Sequence, residues 1–310
     1  DPGQSGNTGA LLLISAQERP QWIVQQRSNA GVSTGMPNTA TTDDFVSYAG
    51  RNNFYQTCAF IPMSFALVTT VHESGETGIG PHALVMPFGI SPPYSMLLIS
   101  RGNSATAANI RRTGKCALNY IEFDRDRLSA VTRLGYPGQS LKDKQKAMPF
   151  TLLPSPSANR LTDPEAPHIL GEAFQIIECS WDRSFSLDPP GTDSDAAIES
   201  RFVLQIDHLL MRRNFHDTLE NGGTFPSMPV FYGYRSDGAF WFAEHSVPFS
   251  ITPPQVEGSE IQQVFYLANR IDNNVRFTRE ACAAFIRVPR PFLKNALQGT
   301  VNAALAAGIS

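Results

Sequence analysis

Apolar residues in this chain come in short blocks separated by Gly, Pro and polar residues, a spacing that predicts many short strands. Phe65–Val71 is a continuous apolar and β-branched run, and Tyr94–Ser100 repeats the pattern after Pro92-Pro93, so both read as core strands. Between them, Gly78-Ile79-Gly80-Pro81-His82-Ala83 reads as a Gly-rich loop flanked by those two strands. Ala173–Cys179 predicts a further strand. Phe202–Met211 alternates, which puts Phe202, Leu204, Ile206, His208 and Leu210 on one face. Pro229–Arg235 predicts another strand, and the polar pair Glu244-His245 reads as a turn after Phe240–Ala243.

Helical patterns interrupt this series. After Ser100, either Asn103 or Ser104 caps a helix over Ala105–Thr113, Gly114 is its left-handed stop, and Arg111 and Arg112 lie in its last turn. Residues 137–167 form a Pro- and Ser-containing insertion around a helix at Leu141–Met148, long enough to act as a lid or specificity loop. From Gly258, Ile261, Val264, Phe265, Ala268 and Ile271 fall at helical spacing. Thr278 caps a second helix, and Pro291 occupies the first turn of a third that ends near Gly308, so three short helices are expected. The predicted organisation is an N-terminal arm over 1–50, a β domain over 51–257 and a helical domain over 258–310. The arm is rich in Gly, Ser, Thr, Asn and Gln, and it packs either across a partner subunit or on its own.

Bulk numbers narrow the function. A length of 310 residues and 42% hydrophobic residues suffice for more than one domain with a real core. A formal charge of -3 offers no basic field for nucleic acid or for an anionic membrane. The longest early apolar run, Ala10–Ile14, is too short for a spanning helix or a signal-peptide core. The chain starts at Asp1 rather than Met, which limits the argument on localisation, and a soluble, cytoplasmic protein is the expectation. Cys58, Cys116, Cys179 and Cys282 form no Cys-x-x-Cys pair, so reduced thiols are expected, with Cys116 and Cys179 in the core.

The chemistry concentrates after Ser100. Exposed amides at a helix start bind anions, and Ser104, Thr106 and Arg101 add hydroxyls and a guanidinium beside them. A phosphate fits such a place, although a Ser-capped helix after a strand also serves ordinary packing. The pieces Ala66–Thr70, Gly78–Ala83, Pro92-Pro93, Thr106-Ala107-Ala108-Asn109-Ile110, Thr113-Gly114 and Ala117-Leu118-Asn119-Tyr120 then follow in one order. In that order they resemble the flavin reductase-like family of the FMN-binding split barrel, over about residues 51–250. Ala173–Cys179 and Pro229–Arg235 continue the likeness. Where the family commonly has Asn and Ser in the loop, this chain has Gly78 and Ala83, and His82 stands in place of an aromatic or small residue.

The resemblance implies a mainly β fold: an FMN-binding split β-barrel with peripheral helices and a small α-helical C-terminal appendage. It implies a homodimer with FMN at or near the interface. In the implied reaction NADH or NADPH passes hydride to the flavin, which then serves a second substrate or a partner oxygenase. Carried onto this chain, Ser100, Arg101, Ser104, Thr106 and Asn109 face the phosphate. The backbone of Pro81, His82, Ala83, Leu84, Val85 and Met86, with Thr69 and Thr70, faces the ring. His82 is the candidate catalytic residue, either hydrogen-bonding the ring or protonating a substrate, or else it packs structurally; its ordinary pKa is near 6.5. Arg235 is a candidate contact for an anion or a nicotinamide phosphate. Two other roles stay open: an FMN-dependent reductase or oxygenase acting on its own organic substrate, and a non-catalytic flavin-binding or scaffold protein.

The last stretch, through Glu280-Ala281, Val288-Pro289 and the Ala-rich segment to Gly308, resembles the small C-terminal domain of the light-independent protochlorophyllide reductase B subunit. That likeness implies a docking or oligomerisation module. The remaining constellations are poor in chemistry. Asp207-His208 and His216-Asp217 lack compact ligand spacing, and His208 is expected to be a satisfied core histidine. No Gly-x-Ser-x-Gly motif is present, and Gly78-Ile79-Gly80 lacks the last glycine of a dinucleotide fingerprint.

Overall fold

The computed structural model describes residues 62–135, 141–146, 148–188, 199–234, 239–245, 259–272 and 274–308. The expected N-terminal arm, Cys58 and Arg235 lie outside the described residues. Among the described residues no helix is long and apolar enough to cross a membrane, and no group of metal-ligating side chains comes together.

The main sheet is antiparallel and seven-stranded. Its members are β2 (Ala66–Val71), β3 (Thr77–His82), β4 (Val85–Gly89), β5 (Ser95–Arg101), β6 (Lys115–Ile121), β9 (Ala173–Trp181) and β10 (Glu199–Met211), following β1 (Met63–Ser64) in the chain. Their spatial order is β3-β2-β6-β9-β10-β5-β4. The two end strands, β3 and β4, are therefore consecutive in the chain, and the sheet curls into the half-barrel expected for a split barrel. A second sheet orders β1, β11 (Pro229–Tyr234) and β12 (Phe240–Glu244), while β7 (Leu152–Leu153) pairs with β8 (Ile169–Leu170).

Both faces of the main sheet are covered, which is why all six residues of β2 are buried. On one face Ala66, Val68, Cys116, Leu118 and Phe202 pack with Ala107 and Ile110 of α1 (Ala105–Thr113). On the other, Leu67, Ala117, Ile121 and Leu170 pack with Leu128, Val131 and Leu134 of α2 (Arg125–Gly135). Cys116 and Cys179 sit directly opposite each other on β6 and β9, fully buried with no disulfide between them, and burial holds the Cys179 thiol well above its ordinary pKa.

Three expectations need correction. The Gly-rich stretch is not a loop: Thr77–His82 is an edge strand in full register with β2, from Val71↔Thr77 to Ala66↔His82. The actual turn lies at 72–76, where Gly75 takes φ 82° and the Gly75 amide donates to the His72 carbonyl at 2.9 Å. An edge strand tolerates glycines and Pro81, because one side makes no ladder. Second, the alternation of β10 breaks at a bulge between Ile206 and His208. One extra residue reverses the later side chains. Phe202, Leu204 and Ile206 therefore share one core, whereas Leu210 joins the opposite one. His208 is not a core histidine, and its Nε2 instead lies 2.7 Å from Asn159 Oδ1 in a solvent-reaching position. Third, Glu244 ends strand β12 rather than forming a turn.

The 137–167 insertion is fastened down where it is described. It contains α3 (Leu141–Lys146) and α4 (Ala158–Leu161). Arg160 of α4 is 5% exposed, and it pairs with Asp207 at the bulge while donating to the Cys179 carbonyl at 2.9 Å. Ser157 donates to the buried Glu178 at 2.7 Å. Outside the barrel, α5 (Arg213–Asn221) follows β10.

The C-terminal helices form as the periodicity predicts: α6 (Ser259–Ala268), α7 (Arg279–Phe285) and α8 (Arg290–Ala306). Thr278 caps α7 by accepting from the Ala281 amide, and Pro291 lies in the first turn of α8. The third helix runs 17 residues, so it is not short. Val264, Ala268, Val275, Phe277, Cys282, Leu293, Leu297 and Val301 close a core of their own.

Candidate functional site

The strongest candidate lies where β5 passes into α1, facing β3. Of the two cap candidates, Asn103 and Ser104, the structure uses Ser104. Ser104, in extended backbone, accepts from the Ala107 amide at 3.0 Å, and its own amide donates to the Arg101 carbonyl at 3.0 Å. Ser100 and Ser104 hydroxyls lie 2.7 Å apart. The amides of Ala105 and Thr106 have no acceptor among the described residues, as expected for the first turn of a helix. No acidic residue occupies that turn, and the exposed Arg101 guanidinium has no hydrogen-bond or ion-pair partner among the described residues. Two open amides, a helix dipole, hydroxyls and a guanidinium together form a donor set suited to an anion.

The helix is held by contacts that the sequence did not single out. Arg111 donates through both terminal nitrogens to the Gly102 carbonyl, at 3.0 and 3.1 Å, and to Ser200 Oγ at 2.5 Å. It thereby ties the turn before α1 to β10. Its position in the last helical turn was the available signal, but dipole complementarity predicts a solvated cation there and not a long-range clamp.

The predicted site residues separate into three groups. Ser100, Arg101, Ser104 and Thr106 gather around the start of α1. Asn109 and Thr70 meet each other in the core, where Asn109 Nδ2 donates to Thr70 Oγ1 at 3.0 Å. Thr69 points to the other face of β2, with its Oγ1 3.4 Å from the Ala117 carbonyl and 3.2 Å from Asn119 Nδ2. Thr69 and Thr70 are 0% and 2% exposed, so they brace the strand from within. The third group is the β3–β4 connection. Pro81, His82, Ala83, Leu84 and Met86 are half-buried, Val85 is buried, and the Leu84 carbonyl accepts from the Ile99 amide at 2.9 Å.

Gly80 joins the first and third groups. A Cβ built there meets Thr106 Oγ1 at 2.5 Å and His82 Nε2 at 3.1 Å, so the first turn of α1 packs against bare β3 backbone. His82 thus stands beside the α1 start. Burial pushes its pKa down to about 4, which leaves a neutral imidazole at pH 7.

Residues 58–216, about half of the chain, match the family of the flavin reductase like domain. No curated protein sequence matches. Among solved structures, the fold is similar to that of the 2-nitrobenzoate 2-nitroreductase of Pseudomonas fluorescens, with a TM-score of 0.50 and 17% identity over 68% of this chain and 96% of that one. Similarity extends to nitrilotriacetate monooxygenase component B from Bacillus cereus, with a TM-score of 0.48 and 16% identity over 71% and 100% of the two chains. An FMN-binding protein from Thermus thermophilus gives a TM-score of 0.48 and 13% identity over 67% and 100%.

Proposed function

The chain belongs to the flavin reductase-like family, and from that premise we propose that it is an FMN-dependent oxidoreductase that draws hydride from NADH or NADPH. The observation that carries the FMN reading is the start of α1, where the amides of Ala105 and Thr106 have no acceptor among the described residues and the exposed Arg101 ends β5 three residues before the Ser104 cap. Their donor set fits a phosphate monoester, whose negative charge a helix N-terminus favours.

Bound flavin would supply the hydride-accepting redox chemistry of this reaction. In this reading Arg101 and the first α1 amides hold the phosphate, with Ser100 and Ser104 as hydroxyl partners. The backbone from Pro81 to Met86 lines the ring side, because β3 approaches α1 closely at Gly80. His82, neutral at pH 7, offers a hydrogen bond there; with a pKa near 4 it is poorly suited to donating a proton. Catalysis then rests on orientation and on excluding water, which accounts for a chain without an evident acid–base pair. The proposal includes a homodimer and transfer of reducing equivalents to a second substrate or a partner oxygenase.

The experiment is an absorbance spectrum after incubation with FMN and removal of free ligand, followed by anaerobic NADH or NADPH. The expected result is a retained flavin band that bleaches with one of the two donors. A retained band that neither donor bleaches would remove the nicotinamide part, and a protein that neither retains FMN nor reduces it when FMN is added in excess would remove the whole reading. Light scattering on the same sample tests for the dimer.

A further inference from the structure

The turn that leads from β5 into α1 is closed by the Ser104 amide, which donates to the Arg101 carbonyl at 3.0 Å. Gly102, inside that turn, is buried, so its carbonyl needs a donor from the protein. Arg111 supplies two, because both terminal nitrogens of its guanidinium reach this one oxygen, at 3.0 and 3.1 Å. The guanidinium is in turn anchored on β10, where Nη2 donates to Ser200 Oγ at 2.5 Å and Ser200 is 1% exposed. Ser200 stands directly opposite Ser100 in the β10–β5 register, and Ser100 Oγ lies 2.7 Å from Ser104 Oγ. One cross-strand serine pair therefore holds the middle of the turn through Arg111 and its end through Ser104.

The consequence lies in the Gly102–Asn103 peptide. It is planar and trans, so with its carbonyl directed at Arg111 its N–H points the opposite way. The Asn103 amide has no acceptor among the described residues, as is true of Ala105 and Thr106. Successive open amides through a turn and into a helix start form a concavity suited to an anion. Once released from Arg111, the same peptide plane is free to rotate, and a rotated plane turns a carbonyl oxygen, which repels an anion, to the side where the N–H had been.

We propose that Arg111 is a positioning residue for the phosphate. It does not touch the ligand; it fixes the Gly102–Asn103 peptide so that the Asn103 amide joins those of Ala105 and Thr106 as a third donor. The inference rests on reading the α1 start as the FMN phosphate site. Lysine is a poor substitute, since an ammonium lacks the planar fork that holds one carbonyl with two donors while reaching Ser200.

Fluorescence titration with FMN and with riboflavin, on wild type, Arg111→Met and Ser200→Ala, tests this. Wild type is expected to bind FMN at least about tenfold tighter than riboflavin. Arg111→Met keeps the hydrocarbon stem and removes the fork. It is expected to weaken FMN at least about fivefold and to leave riboflavin within about twofold of wild type. Ser200→Ala removes only the anchor, and its loss of about threefold likewise falls on FMN alone. If Arg111→Met does not fold, the same comparison in Ser200→Ala decides. A wild-type protein indifferent to the phosphate refutes the phosphate reading, and the inference falls with it. A wild-type preference that Arg111→Met retains overturns the inference alone. So does an equal loss for both flavins, which is what a merely structural role would produce.

Discussion

Asn109 Nδ2 donates to Thr70 Oγ1 at 3.0 Å, and this bond joins the middle of α1 to the strand beneath it. Both side chains are buried, at 5% and 2% exposure, so neither finds water if the other is removed. Asn109→Ala is expected to cost about 1–3 kcal/mol, the penalty for an unsatisfied buried partner. The same substitution on a Thr70→Val background costs about 1 kcal/mol less. Urea denaturation of the four proteins measures that coupling, and strictly additive effects would show that the bond contributes nothing.

Gly80 is required for space rather than for backbone freedom. A methyl there would lie 2.5 Å from Thr106 Oγ1, inside any normal contact. Gly80→Ala is expected to lower stability by about 1–3 kcal/mol, as overpacking does. Thr106→Ala added to it restores most of the loss, because the clashing oxygen is gone. Thermal melts of the single and double variants distinguish this from a simple glycine effect, which the second substitution would not repair.

Arg101 is exposed at the end of β5, three residues before the Ser104 cap of α1. Its replacement by Ala is expected to weaken FMN binding by about tenfold or more through loss of a charge-assisted bond. Riboflavin, which lacks the phosphate, should bind both proteins alike. Fluorescence titration with the two flavins separates a phosphate contact from a general loss of fold, and an equal loss for both would place Arg101 elsewhere.

His82 links pH to stability. Burial lowers its folded-state pKa to about 4, below the unfolded value of 6.5. The unfolded chain therefore binds the extra proton first, so stability falls as pH drops through the window from 6.5 to 4 and is flat above it. Between pH 7 and pH 5 the expected loss from this group is about 2 kcal/mol. His82→Gln should remove that share of the acid sensitivity. Denaturant midpoints at both pH values check it, and an unchanged slope in the variant would show that His82 is not desolvated.

Local chemistry in the sequence specified where several elements lie. The helix over Ala105–Thr113 has the left-handed stop at Gly114, with φ 71°, that its residues dictate, and of the two cap candidates, Asn103 and Ser104, it uses Ser104. The C-terminal helices follow from Thr278, Pro291 and a one-sided apolar stripe in the same way, since a cap and a period are both written within a few residues. The order of short pieces from Ala66 to Tyr120 carried the family and the barrel as well.

What tertiary structure alone decided involves residues far apart in the chain. The Thr77–His82 segment is a strand because β2 supplies its ladder, although its own Gly and Pro content argues against one. The bulge at Asp207 reverses the faces of β10 and removes His208 from the core, and Arg160, 47 residues away, is the buried cation that pairs there. Cys116 opposite Cys179 and Asn109 against Thr70 are likewise matters of strand order and helix docking. A sequence fixes propensity and periodicity locally. Register, bulges and the partners of buried polar groups depend on which distant segments come to lie side by side, and that is settled only when the whole sheet closes.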